Sequence, residues 1–414
     1  MDLSTSLFSA FSGNAFPCLS FLGFSQQPVT PDVNPNILQS DSEYLNNIPP
    51  EFENVSVSFV KDNLAVIPGE WEAGGIRTPL YDIQSQEPSF QNALTKIKSK
   101  DFIAWDFSFF NIIGSQAKLE KIQFFEGEPP HVHEAPAFVP ETNELFYADT
   151  SVTGWLWAID VNTHKARKVE TNPPLANVNG ARYHKGRIYL TTNGGPARGI
   201  WSLNPLDGTA IPVVNNFRGR HLNSPNDLIF DSNSNIWFTD PPYGWSQDFA
   251  GVQAPELPNG IYFFNTKTKA LVAVSNSVVS TPNGLAFSPD GSTLYVADSD
   301  SIAGKPLEFK PASLRNVWAF DVTGSILSNA RLVHQAESGW PDGIQVTRDG
   351  YLLVAVLGGV DVVDPLSGLL LGKINTPGDI IFNLERGPQK GNQAMWLLTG
   401  QYYIYKLLIN LTEG

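Results

Sequence analysis

The sequence predicts an all-β fold, a six-bladed β-propeller carrying an N-terminal extension. Three observations predict it: an internal repeat in one register, abundant turn residues and a scarcity of charge. Hydrophobic residues make up 42% of the 414 residues and charged residues only 16%, while Gly (34) and Pro (31) are plentiful. Long surface helices need charged outer faces, so this mixture suits short strands joined by tight turns.

The repeat is the strongest of the three. EAPAFVPETNELFYAD from Glu134, NDLIFDSNSNIWFTD from Asn226, NGLAFSPDGSTLYVAD from Asn283 and DGIQVTRDGYLLVAV from Asp342 share one register. Each opens on a polar residue and has an apolar residue four positions on: Phe138, Phe230, Phe287 and Val346. A turn rich in Asp, Asn, Gly or Pro follows, then an apolar strand, which is the signature of a hairpin. A fifth copy starts at Asn179 with a shorter turn at Lys185-Gly186, and a weaker sixth is expected near Gly378. Second strand pairs such as GIYFFNTKTKALVAV follow most copies, so each unit reads as four antiparallel strands. Radial repetition of such sheets makes a propeller. Residues 101–414 are assigned to it, and residues 1–100 to an extension that packs on it, partly as loop. A strand around Leu119–Phe125 is expected to close the ring by joining the last blade.

The formal charge of −14 and the lack of a basic stripe exclude a nucleic-acid partner, because phosphate binding needs clustered Lys and Arg. A small molecule is the expected partner, and the chain is expected to be a monomer. The single Cys18 cannot form an internal disulfide. The apolar start MDLSTSLFSAFSGNAFPCLSFLGF lacks a basic n-region, since the first basic residue is Lys61. That favours the cytoplasm over secretion and otherwise leaves location open. No stretch is long and apolar enough to span a membrane.

In a propeller the first strand of every blade lines the central channel, so equivalent residues meet at one level. Glu134, Asn226, Asn283 and Asp342 are the candidate metal ligands on that ground. Such oxygen donors suit one hard divalent cation, calcium first, with magnesium or zinc as alternatives. The plainer reading is that Asn-Gly and Asp-Gly are turn formers at blade entrances. It weakens because Glu134 precedes Ala-Pro, where no turn rule asks for Glu, and because Glu134 and Asp342 buried together would repel without a cation.

These residues carry a resemblance. HEAP at 133–136, NSPND at 223–227 with IWFTDPPYG at 236–244, PNGLAFSPDGSTLYVAD at 282–298 and PDGIQV at 341–346 resemble the gluconolactonase and regucalcin family, nearest its fungal lactonohydrolase branch. The resemblance covers roughly residues 101–410. It implies a six-bladed propeller, a calcium ion (sometimes zinc or another divalent metal) and hydrolysis of cyclic esters. By motif, Glu134, Asn283 and Asp342 match its ligands, and Asn226 matches an Asn near metal, water and substrate. Ser224 stands where animal members carry an Arg that grips sugar hydroxyls, so a simple sugar lactone is not expected.

For such chemistry the metal polarises the carbonyl and acidifies water, and a carboxylate takes the proton. Asp342 is the candidate base and His133 its rival, while one of His131 and His133 is expected to hydrogen-bond a ligand carboxylate. Substrate contacts are expected from Asn226, His131, Tyr243, Trp340 and Asn193, with His221 read as a loop residue. The alternative is a cyclase or synthase acting on a natural-product precursor in the same channel, since fold does not decide function.

Overall fold

The structure, a computed structural model, describes residues 43–61, 64–125, 132–150, 154–195, 198–275 and 277–410. His131, Cys18 and the apolar start of the chain lie outside the described residues.

Each repeat copy folds as a hairpin because its turn residues satisfy their own backbone. Lys185 and Gly186 take φ of 50° and 80°, the left-handed pair that a two-residue hairpin turn needs. In the next unit the Asp231 carboxylate accepts the N–H groups of Asn233 and Asn235 at 2.9 Å each. Among the described residues four separate four-stranded sheets result. Their first strands or strand cores are His133–Val139, Val178–His184, Leu228–Phe230 and Pro282–Phe287. All pairings within them are antiparallel.

Nine further strands form one sheet, and among the described residues three two-stranded hairpins stand apart from it. Ile344–Val346 pairs with Leu352–Asp364, which pairs with the long strand Leu369–Arg386. The far end of that strand pairs with Gln393–Gly400, then comes Tyr403–Asn410, and finally Lys118–Phe124. The strand expected near Leu119–Phe125 therefore does join the last hairpin. On another edge Phe102–Ala104 pairs with Leu369–Arg386, and Val57–Val60 runs parallel beside it. The helix Pro88–Lys98 buries Phe90, Leu94 and Ile97 against Val60, Tyr81 and Ile103.

The cores lie between neighbouring sheets, not within one. Ala137 and Phe146 pack with Ala181 and Leu190, Ile200 with Leu228 and Phe238, and Trp237 with Leu285 and Val296. Ala286 and Tyr295 pack with Ile344 and Val354, and Leu353 with Leu384 and Trp396. Leu145 and Tyr147 of the first unit pack with Leu397 and Ile404 of the last hairpin. Burial of such side chains is worth roughly 1.5–3 kcal/mol each, so face-to-face packing is what holds these sheets together.

Candidate metal centre

The register of the first strands decides what meets in the centre. His133 pairs with Asp149, Val178 with Thr192, Pro282 with Asp298 and Ile381 with Gly400, and in each the ladder is interrupted just beyond. A bulge of this kind bends the strand and re-aims a side chain. The residues that follow, Glu134, Asn179, Asn283 and Phe382, therefore occupy equivalent places. Asn226 and Asp342 occupy the same place, their backbone N–H groups donating to Thr239 and Ala355 carbonyls at 2.9 Å. The sixth copy thus begins at Phe382, four residues beyond the expected Gly378. Its signal was hidden because an aromatic residue stands where the other copies are polar.

Where a glycine follows, neighbouring first strands approach too closely for a side chain at that position. A Cβ on Gly180 would lie 2.4 Å from the Asn226 carbonyl oxygen, and one on Gly284 would lie 2.3 Å from that of Asp342. Hydroxyls tie the strands at the same level. Thr191 Oγ1 donates to the Asn226 carbonyl at 2.5 Å, Thr239 Oγ1 to that of Asn283 at 2.8 Å, and Ser299 Oγ to that of Pro341 at 2.6 Å.

Glu134, Asn179, Asn226, Asn283 and Asp342 line one cavity of about 230 Å³. All are buried, Glu134 to 4% and Asp342 to 5% exposure. Neighbours fix one polar atom on Glu134, Asp342 and Asn283, as Asn193 does on Asn179. Asn383 Nδ2 donates to Glu134 Oε2 at 3.2 Å, Trp340 Nε1 donates to Asp342 Oδ2 at 2.7 Å, and Asn283 Nδ2 donates to Ser299 Oγ at 3.1 Å. Asn226 Oδ1 and Asp342 Oδ1 are buried with no hydrogen-bond partner. Burial, then the neighbouring Asp342 charge, pushes Glu134 well above the usual carboxylate range. Burial pushes Asp342 up to about 7, although the Trp340 and Asn283 hydrogen bonds pull the other way.

Orphaned buried acceptors cost free energy unless something fills their need. Two carboxylates and three amide side chains offer oxygen donors only, which fits a hard divalent cation. Among the described residues no cluster of three or more His, Cys, Asp or Glu offers an alternative site.

The walls above this floor are apolar. Tyr243, Phe309, Trp340, Ile380 and Phe382 line them, with Gln247 and Gln401 among the polar exceptions. Of the expected substrate contacts, Asn226, Tyr243 and Trp340 line the cavity, Asn193 does not, and His131 lies outside the described residues. His133 is buried beside Glu134 in the chain, but its Nδ1 faces the Gly400 carbonyl at 2.7 Å and its ring stacks on Phe125. It is not a lining residue, and its Nδ1 contact is with backbone and not with a ligand carboxylate. Asn193 stands behind Asn179, donating to its Oδ1 at 2.6 Å. His221 lies exposed on the short strand Arg220–His221. Ser224 is turned inward, its Oγ donating to the Asn223 carbonyl and accepting the Gly244 N–H.

Among the lining residues that sequence reasoning missed, three are instructive. Asn179 opens a repeat copy and could have been found from register alone. Phe382 was masked by its type, and Arg77 lies in the Pro- and Gly-rich stretch before the repeats. One residue layer deeper, Arg182 pairs with Asp227 at 3.4 Å and approaches Glu385 at 3.8 Å. Those acids already have a cation, so they do not compete for the metal.

Comparison with known proteins gives a consistent picture. A family model described as the SMP-30/gluconolactonase/LRE-like region matches residues 132–391. The chain is 31% identical over 339 residues to the lactonohydrolase oryL of Aspergillus oryzae, covering 72% of this chain and 73% of the relative. Among solved structures, a gluconolactonase of Xanthomonas campestris superposes with a TM-score of 0.61 at 28% identity, over 74% of this chain and 94% of that one. A calcium-binding regucalcin of Agrobacterium tumefaciens shares the fold at a TM-score of 0.54 and 14% identity, over 72% and 96%.

Proposed function

The chain belongs to the SMP-30/gluconolactonase/LRE-like family, and we propose that it is a metal-dependent lactone hydrolase whose substrate is not a simple sugar lactone. The observation that carries the reading is the pair of orphaned acceptors, Asn226 Oδ1 and Asp342 Oδ1, beside a second buried carboxylate on the floor of an apolar-walled cavity. Glu134, Asn226, Asn283 and Asp342 are the residues that would hold the ion, with calcium the best match to an all-oxygen set.

A bound divalent cation supplies Lewis acidity toward the ester carbonyl and acidifies water. The chain supplies the rest. Asp342 takes the proton of the attacking water through its unpartnered Oδ1, while Trp340 holds Oδ2 and fixes the carboxylate plane. The acyl C–O bond of the ring breaks, the proton passes to the departing alkoxide, and a hydroxy acid results. Asn226 orients the reacting oxygen, and the walls of Tyr243, Phe309 and Phe382 exclude bulk water. Ser224, engaged with backbone, offers no grip for sugar hydroxyls.

We also infer that the sheets are six blades of a closed propeller. The support is sixfold register of the first strands, division of the nine-stranded sheet at the long strand Leu369–Arg386, and core packing that runs from each unit to the next and from the last to the first.

A panel of aldonolactones, pantolactone and aromatic macrolactones, assayed with and without chelator, tests the function. Chelator-sensitive ring opening that falls roughly 10²–10⁴-fold in Asp342→Ala supports it. Metal binding with no turnover of any lactone moves the assignment to the synthase reading.

A further inference from the structure

Arg77 belongs to the segment that precedes the repeats and lies outside the family-matched region, yet it lines the same cavity as the four candidate ligands. Its position is built by the backbone around it. The Gly339 N–H donates to the Ile76 carbonyl at 2.6 Å, one residue before Trp340. Beyond it, Tyr81 is buried, its hydroxyl 2.6 Å from where a Cβ on Gly358 would sit. The segment is thus fastened on both sides of Arg77.

The guanidinium stands over the Phe309 ring, 5.2 Å from its centroid. Phe309 belongs to the hairpin strand Glu308–Phe309, inserted within the fourth sheet, and packs on Trp340. Among the described residues Arg77 makes no ion pair with any carboxylate. Lys305, which lies between the lining residues Ile302 and Leu307 in the chain, pairs with Asp248 and reaches the Trp245 carbonyl. Stacking on an aromatic ring leaves the planar fork of an Arg free to bind a carboxylate through two N–H groups. The cavity therefore has two poles, an acidic floor suited to a cation and a lone guanidinium at the rim, with apolar walls between.

Building on the lactone-hydrolase reading of this site, we propose that Arg77 selects the substrate: a lactone bearing an apolar arm that ends in a carboxylate. The ester lies over Asp342, the arm runs along Trp340 and Phe309, and the carboxylate is held by Arg77. This also gives the segment before the repeats a role in specificity.

The test uses γ-lactones whose ring carries an alkyl arm ending in a carboxylate, each paired with its neutral carboxamide and graded in arm length. Kinetics are compared for the full chain, Arg77→Gln and Arg77→Lys. The expected result is a KM for the carboxylate series raised roughly 10–100-fold in Arg77→Gln, with kcat and the carboxamide series unchanged and partial recovery in Arg77→Lys. Equal losses on both series, or none on either, overturn the proposal. The corresponding tetrahydrofurans, which have no ester, are titrated alongside by Trp fluorescence. Preference for the carboxylate that vanishes in Arg77→Gln supports the Arg77 assignment even where no lactone is turned over. In that case only the hydrolase reading falls. Absence of any preference in the wild-type chain removes the assignment while leaving hydrolysis standing.

Discussion

Two carboxylates of this molecule are buried to the same degree and behave in opposite ways. Asp361 is 1% exposed, yet it is held down to about 2. Burial acts to raise it, but Lys373 Nζ lies 2.7 Å from one oxygen and His334 Nε2 donates to the other at 3.0 Å. Asp342 is 5% exposed, and burial pushes it up to about 7, since its partners, an indole N–H and an amide, offset burial less than a cation would. The chain supplies a full charge to one acid and only dipoles to the other. In this pair the structural acid is neutralised from within, whereas the acid without a cation lines the cavity where one would come from outside.

The sharpest break of that comparison is to remove the internal cation. Lys373 is fully buried, and Glu337 is its second acidic neighbour at 3.8 Å. Lys373→Met leaves Asp361 charged without its partner and is expected to cost about 3–5 kcal/mol in urea unfolding. Adding Asp361→Leu should recover most of that loss, since the unpaired charge and not the missing side chain is the cost. The pH dependence has a definite sign. Asp361 titrates lower in the folded chain than in the unfolded one, so its contribution is complete above about pH 4 and is lost as pH falls toward about 2. Asp361→Asn should flatten that limb of an acid titration. An unchanged limb would mean that the pairing does not hold in solution.

Supplying the external cation is the complementary experiment. Calcium at about 100 times its Kd should stabilise the folded chain by about 2.7 kcal/mol, read as a calcium-dependent rise in urea midpoint. Asp342→Asn should lose most of this increment, whereas Asp361→Asn should keep it. Equal increments in both variants would place the ion away from the floor of the cavity.

How much of this could be read from sequence depends on which signal each residue carries. Turn residues and an apolar residue four positions on betrayed five first strands, because hairpin chemistry is local. Phe382 defeated the same logic, since its place is defined by pairing of Ile381 with Gly400 and not by its own type. Alternation shows which side of a strand His133 takes, but not that this side meets Phe125 and the Gly400 carbonyl instead of the cavity. Lys373 and Asp361 looked like ordinary strand charges, and Arg77 like one basic residue in a loop-rich stretch. Their partners lie from 12 residues away, for Lys373 and Asp361, to more than 200, for Arg77 and Phe309, where no local pattern points. Trp340 was legible because it adjoins Pro341-Asp342.

Trp340 offers the finest probe of the difference between charge and dipole. Trp340→Phe keeps a ring to pack on Phe309 and Phe382 but removes the Nε1–H that donates to Asp342 Oδ2 at 2.7 Å. Without that donor the carboxylate loses both a partner and its fixed plane, so the ion-binding geometry loosens. Groups that orient a metal ligand typically contribute 10–100-fold in affinity. Calcium titration by calorimetry should therefore show a Kd raised about 10–100-fold, with unfolding at saturating calcium nearly unchanged, because the bound ion then satisfies Asp342 itself. An unchanged Kd would mean that Asp342 is held in place by the backbone bulge alone. A loss of stability that saturating calcium does not repair would mean that the indole is chiefly packing. Only a loss confined to affinity fits a carboxylate that the chain has positioned, but deliberately left short of charge.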